Sequence, residues 1–221
     1  MTKTLATVTI GQTPRPDVVD ELRPFVPEAT WIEAGALDGL DDAGIVALAP
    51  APGDIPLVAR LRDGRTVVVG ERALTPRLQA AVAAVDDRAD LVIVQCAGDF
   101  ELTCRRPLIV PYRLVTATVA GIQVPGPLAV LVPHEGQIEP AVRRWRAQGL
   151  EAHARLVAPY AGEDLSPAGH WARDLGASCV LMDCLGYTVA MKTEVARASG
   201  LPTILVRSLV ARVAGELAVS C

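Results

Sequence analysis

The feature that most constrains this chain is an internal repeat centred on two cysteines. Residues 91–98 read LVIVQCAG and residues 179–186 read CVLMDCLG. Each is an apolar run of strand length, one polar residue, a cysteine, one apolar residue and a glycine. The repeat extends both ways. Upstream, Leu5-Ala6 with Val8 matches Leu128-Ala129 with Leu131, and downstream, Pro107 to Val110 with Leu114-Val115 matches Pro202 to Leu205 with Leu209-Val210. Three segments in the same order imply two copies of one supersecondary unit. The first copy is the longer. Its extra residues include two alternating runs, 57–61 and 66–70, joined through Asp63-Gly64, which predicts a β-hairpin.

Between these runs lie stretches with helical signals. Helices are expected at residues 16–25, 75–85, 112–120, 137–148, 166–175, 189–198 and 208–218, and further strands at residues 4–10, 30–33, 151–157 and 203–206. The helix at 75–85 is read as capped by Thr75, with Pro76 at its first position. Apolar strands alternating with helices predict parallel sheets covered on both faces. The fold class is therefore α/β: two pseudo-symmetric Rossmann-like lobes with parallel sheets and an active-site cleft between them. The expected division is residues 1–122, residues 123–206, and a terminal helix in 207–221 that returns to the first lobe.

In open parallel sheets, ligands bind beyond the carboxyl ends of the strands. Cys96 and Cys184 both fall there. Two thiols on opposite faces of a carbon can racemise it: a thiolate removes a proton and the other thiol returns one. Backbone N–H groups at Ala97-Gly98 and Leu185-Gly186 are placed to hold a carboxylate or an enolate, and glycine lets a ligand approach the backbone. The other cysteines are not matched by the repeat. Cys179 falls inside a strand and Cys221 at the terminus, both read as structural, and Cys104 among charged neighbours is a lesser candidate.

The loop after the first strand supplies further binding candidates. Gly11 permits a tight turn, Gln12 and Thr13 offer hydrogen bonds, and Arg15 can pair with a substrate carboxylate. Arg15 also reads as a solvated helix-start residue, with Asp17 complementing the helix dipole. The corresponding loop of the second half carries His134, Glu135 and Gln137. Glu135 or His134 is the candidate polar partner for a thiol, and either can equally be a helix-start residue at the surface. Tyr187 and Thr188 can donate hydrogen bonds to a ligand, and Thr188 can equally cap a helix. Arg207 is a second candidate anion binder. Asp183 should point away from Cys184 by the period-two alternation of a strand, and so brace the loop.

Composition excludes several classes. A formal net charge of -4 gives no basic excess for nucleic-acid binding. No apolar run approaches the roughly 20 residues of a membrane span, and the first ten residues do not form a secretory signal. A cytoplasmic location is expected. Five irregularly spaced cysteines without a CxxC pair, and three scattered histidines, suggest neither a disulfide framework nor a metal site. The run from Gly11 to Pro16 lacks dinucleotide and phosphate-loop spacing. Neither a metal nor another cofactor is expected. The partner implied is a small anionic substrate, with no nucleic acid and no membrane, and a homodimer is left open.

Four motifs carry a family resemblance: TIGQTPRPD at 9–17, QCAGDF at 95–100, DCLGYT at 183–188 and RSLVAR at 207–212. Together they resemble the AroM family over nearly the whole chain. AroM proteins are similar to the aspartate/glutamate/hydantoin racemase superfamily, which works without a cofactor. Its members place one cysteine from each of two α/β lobes in a central cleft. The superfamily also holds isomerases and decarboxylases that use one or two cysteines. Racemases of this kind often follow each cysteine with Asn-Thr or Thr-Glu. Here Ala97-Gly98 and Leu185-Gly186 stand instead, so amino-acid-binding side chains do not carry over. The resemblance implies a cofactor-independent racemase or isomerase using Cys96 and Cys184 on a small carboxylate or hydantoin-like carbon acid. A one-cysteine isomerase or decarboxylase, and a non-catalytic metabolite-binding protein on the same scaffold, are the alternatives.

Overall fold

The protein is described here from a computed structural model, over residues 2–218. The chain divides into two compact units, residues 1–112 with 210–221, and residues 113–209.

In the first unit, β1 (Thr4–Thr9), α1 (Pro16–Leu22) and a short 3-10 turn lead to β2 (Thr30–Gly35). Then come α2 (Asp42–Val46), the hairpin strands β3 (Pro56–Arg60) and β4 (Thr66–Gly70), α3 (Glu71–Ala83), β5 (Leu91–Gln95) and β6 (Leu108–Ile109). The main sheet has the order β2-β1-β5-β6 and is parallel throughout. All five residues of β5 are buried, as an apolar strand covered on both faces requires. The hairpin is antiparallel, and Gly64 takes the left-handed conformation its turn needs (φ +88). One core joins the sheet (Ala6, Val8, Val92, Val94), the hairpin (Leu57, Ala59, Val69) and α3 (Leu74, Leu78, Val82). A smaller cluster joins Val18 and Leu22 of α1 to Ala211.

The second unit begins within α4 (Pro111–Ala120), whose first two residues belong to the first. It contains β7 (Leu128–Val132), a 3-10 turn, α5 (Ile138–Ala147), β8 (Ala152–Leu156) and α6 (Ser166–Asp174). After these come β9 (Cys179–Met182), α7 (Val189–Ser199), β10 (Thr203–Leu205) and the start of α8 (Val206–Ala218). Its sheet has the order β8-β7-β9-β10, again all parallel. With β1 matched to β7 and β5 to β9, the two sheets share one topology, and the hairpin segment is an insertion in the first. The core of this unit packs Ala129, Leu131, Val180 and Met182 against Ala168, Ala172 and Val195 of α6 and α7.

The five residues of α2 add to the expected elements; Asp41 caps them by accepting from Gly44 N–H at 2.8 Å. More consequentially, α3 begins at Glu71, not at Thr75, so Pro76 lies inside the helix. Thr75 does not cap. Its hydroxyl donates back to the Glu71 carbonyl at 2.7 Å. The first-turn donors are satisfied from elsewhere: Glu71 N–H by the Ile55 carbonyl at 3.0 Å, and Arg72 N–H by Asp54 Oδ1 at 3.2 Å. This shift places Glu71 where the hairpin ends.

Candidate active site

Cys96 is the first residue beyond β5, half-buried at the carboxyl end of the sheet. Its Sγ accepts the Gly98 N–H at 3.4 Å, a donor placed to stabilise negative charge on sulfur. Gly98 is packed so closely that a methyl group there would lie 2.9 Å from the Phe100 ring and 3.0 Å from Glu71 Oε2. Phe100 is fully buried beneath the loop. Glu71 comes from the start of α3, and its carboxyl lies near the Asp99 backbone N–H. Burial is the main cause that pushes the Glu71 carboxyl up to about 7. The Asp99 and Asp54 charges push the same way, against the Asp99 N–H and the nearby Arg72 charge. A half-buried acid on the thiol loop that titrates near neutrality is suited to proton transfer.

In the second unit the arrangement recurs around Cys184, half-buried just past β9. Its Sγ accepts the Gly186 N–H at 3.2 Å. A methyl group at Gly186 would lie 2.8 Å from the Tyr160 hydroxyl and 2.9 Å from Pro159 Cγ. The intervening Leu185 carbonyl accepts from the fully buried Arg207, through Nε at 2.7 Å and also through Nη2. Asp183, on the other side of the strand, meets Arg144 Nη1 at 3.0 Å in a buried ion pair. Arg144 Nε donates to Thr116 Oγ1 at 2.9 Å. Among the described residues, Asp183 Oδ1 has no hydrogen-bond partner, and burial raises this carboxyl against the lowering effect of Arg144.

The AroM protein family model matches residues 5–218. The chain belongs to the AroM family. No curated protein matches its sequence. Three solved structures show what its fold is similar to. Unliganded arylmalonate decarboxylase aligns with a TM-score of 0.66 at 13% identity, over 100% of this chain and 94% of the other. Aspartate racemase from Picrophilus torridus aligns with a TM-score of 0.61 at 8% identity, over 95% and 91%. Maleate isomerase from Pseudomonas putida S16 aligns with a TM-score of 0.58 at 12% identity, over 96% and 90%.

Several residues expected to bind a ligand make hydrogen bonds within the chain. Arg15 is buried. It grips Asp17 through two bonds of 2.8 Å and donates to Thr9 Oγ1 at 3.1 Å. The Asp17 carboxylate, rather than solvent, meets the guanidinium. Gln12 accepts from Arg62 N–H and donates to the Leu37 carbonyl, and Thr13 donates twice to Asp38. Gly11 is buried, and its N–H donates to Thr9 Oγ1. The Tyr187 hydroxyl points inward and donates to the Val157 carbonyl at 2.7 Å, with burial, Cys184 and Asp183 all raising its proton affinity. Thr188 caps α7, accepting from Met191 N–H at 3.2 Å. Arg207 braces the Cys184 loop through the Leu185 carbonyl.

Cys96, Ala97 and Gly98 share one loop, and Cys184, Leu185 and Gly186 the other, while Glu135 is exposed at the 3-10 turn after β7. His134 caps that turn through Nδ1, which accepts the Gly136 N–H at 3.0 Å. Cys179 is buried in β9 and its thiol is pushed up by burial. Cys104 is half-buried against the first core, and Cys221 lies outside the described residues. Sequence reading missed Glu71, Phe100, Arg144 and Tyr160. Phe100 was within reach, since it ends the QCAGDF motif. Glu71 and Tyr160 have only their placement after a strand or before a helix to signal them. Among the described residues no helix is long and apolar enough to cross a membrane, and no three His, Cys, Asp or Glu side chains gather in a metal-binding group.

Proposed function

We propose that this AroM protein is a cofactor-independent racemase or isomerase of a small carboxylate or hydantoin-like carbon acid, with Cys96 and Cys184 as its acid/base pair. The observation that carries the reading is the repeated Cys-x-Gly loop. At the same point of each sheet a thiol sulfur meets a backbone N–H two residues on, at 3.4 and 3.2 Å. A cysteine serving only as core has no need of that donor twice. In the reaction one cysteine, as thiolate, takes the proton from the carbon beside the carboxylate. The other, as thiol, delivers a proton to the opposite face, and backbone N–H groups hold the enolate oxygens. The similar folds named above belong to a racemase, an isomerase and a decarboxylase, each named for a small carboxylate substrate.

A one-cysteine reaction is the second reading. The two loops are not equivalent, since a carboxyl lies over Gly98 and a phenol over Gly186. Such asymmetry suits an enzyme in which one thiol does the chemistry and the other site positions the ligand. The test is proton–deuterium exchange in heavy water, followed by NMR across amino acids, hydantoins and 2-substituted dicarboxylates. For a two-base enzyme, Cys96→Ala and Cys184→Ala each abolish isomerisation while retaining exchange of one enantiomer. Strong dependence on one cysteine alone selects the second reading. A panel with no exchange by the wild-type protein refutes both for those substrates.

A further inference from the structure

We propose that Glu71 is a proton-dependent gate for acidic ligands at the Cys96 loop. With its proton, the carboxyl donates a hydrogen bond to a ligand carboxylate, and without it, the charge turns such a ligand away. The inference deepens the function proposed above, because it rests on a small carboxylate sitting at Cys96.

The geometry is local to one peptide segment. Gly98 gives its N–H to the thiol of Cys96, and the absence of a side chain at Gly98 is what admits Glu71 Oε2 to the same loop. The backbone N–H of the next residue, Asp99, lies near the Glu71 carboxyl and favours its charged form. The thiol and the carboxyl thus meet at one short segment, and a small ligand at the sulfur has the carboxyl as a neighbour. Helix α3 and the hairpin make this placement rigid, since Glu71 N–H is fastened to the Ile55 carbonyl at 3.0 Å.

The charged groups facing Glu71 are few. Asp99 comes from the loop, Asp54 from the segment before β3, and Arg72 from the next position on α3. Arg72 is itself engaged with Asp54 Oδ1 and with the Gly53 carbonyl, both at 3.2 Å. An ionised Glu71 would therefore add its charge to those of Asp99 and Asp54 beside the Arg72 cation. Its carboxyl, lifted to about 7 by burial, divides between the two forms at neutral pH. A bound carboxylate draws a proton onto the ionised fraction from solvent, up to one per ligand above this range, so acidic ligands bind less well as the pH rises through it.

Alkylation of Cys96 reads that charge without a known substrate. Iodoacetate and iodoacetamide both react with the thiolate, forming a carbon–sulfur bond and releasing iodide. The ratio of their rates therefore cancels the thiolate fraction and reports repulsion of a carboxylate. Adducts are quantified at Cys96 by peptide mass spectrometry between about pH 5.5 and 8.5, with Cys104 as the internal reference. In the wild-type protein the iodoacetate-to-iodoacetamide ratio at Cys96 should fall roughly tenfold across this range, the size of close-range repulsion by a unit charge. In Glu71→Gln, which keeps the size of the side chain and removes its charge, the ratio should stay flat. Asp99→Asn should keep the fall. Identical profiles in wild type and Glu71→Gln overturn the proposal. So does a fall lost in Asp99→Asn, a result that stands even if Glu71→Gln fails to fold. Deuterium exchange without the pH-dependent ratio removes the gate and leaves the isomerase. The ratio without exchange supports the gate and removes the isomerase.

Discussion

Replacing Arg144 with Met should cost the protein more than most single changes, and the cost should depend on pH. Arg144 and Asp183 are both nine-tenths buried or more and meet at 3.0 Å. Methionine keeps an unbranched stem but leaves the Asp183 carboxylate without its counter-charge. Breaking a buried pair from one side costs about 3–5 kcal/mol. Losing the 2.9 Å bond from Nε to Thr116 adds about 1 kcal/mol. Against a typical total stability of about 5–15 kcal/mol, that is enough to read clearly. Burial already raises the Asp183 carboxyl in the wild-type fold, and Arg144 alone opposes the rise. An acid raised on folding binds its proton more tightly in the native state, so its favourable contribution is present at low pH and lost as pH increases through the folded value. Removing Arg144 widens that loss. Urea unfolding followed by circular dichroism should therefore show the full deficit near pH 8 and a clearly smaller one near pH 5. Arg144→Met with Asp183→Asn should recover at least about 1.5 kcal/mol of the pH 8 deficit, because no buried charge remains. A deficit below about 1 kcal/mol at pH 8, or one equal at both pH values, would refute the buried pair.

Glu71→Gln should gain stability relative to wild type as pH rises from about 4.5 to 7, the interval between the ordinary and the raised value, and thermal melts that run parallel across it would contradict the burial of this carboxyl. Gly186→Ala should destabilise by about 1–3 kcal/mol, since its methyl group would meet Tyr160 and Pro159 at 2.8–2.9 Å, and an unchanged urea midpoint would show that this loop can move aside. Arg207→Met should leave the Leu185 carbonyl without its donor, costing about 1–3 kcal/mol and speeding alkylation of Cys184; reduced stability with an unchanged alkylation rate would show that Arg207 does not hold the loop. Cys179 should resist iodoacetamide until denaturant is added, whereas Cys96 and Cys184 react in the native protein, as peptide mapping of the adducts will tell.

The duplicated architecture was legible in the sequence because a parallel strand covered on both faces must be apolar at nearly every position. The runs ending at Gln95 and at Asp183 obey that rule, and the same physics places each cysteine and glycine at the carboxyl end of its sheet. The hairpin was legible for an equally local reason, since Asp63-Gly64 can turn where few other pairs can. Polar partners were not legible, because they are chosen by segments distant in the chain. The pair Thr75-Pro76 has the chemistry of a helix start, yet Ile55 and Asp54 accept the donors of Glu71 and Arg72 and draw the helix back by a turn. Thr13 has the hydrogen-bonding capacity of a binding residue, and Asp38 takes it up from 25 residues away. Tyr187 has a hydroxyl beside a thiol, but the Val157 carbonyl, 30 residues back, turns it into the core. The sequence by itself determined which apolar runs must be buried and where the strands expose their ends. Only the tertiary structure decided which donors and acceptors meet, because a buried polar group is satisfied by whatever the packing brings beside it.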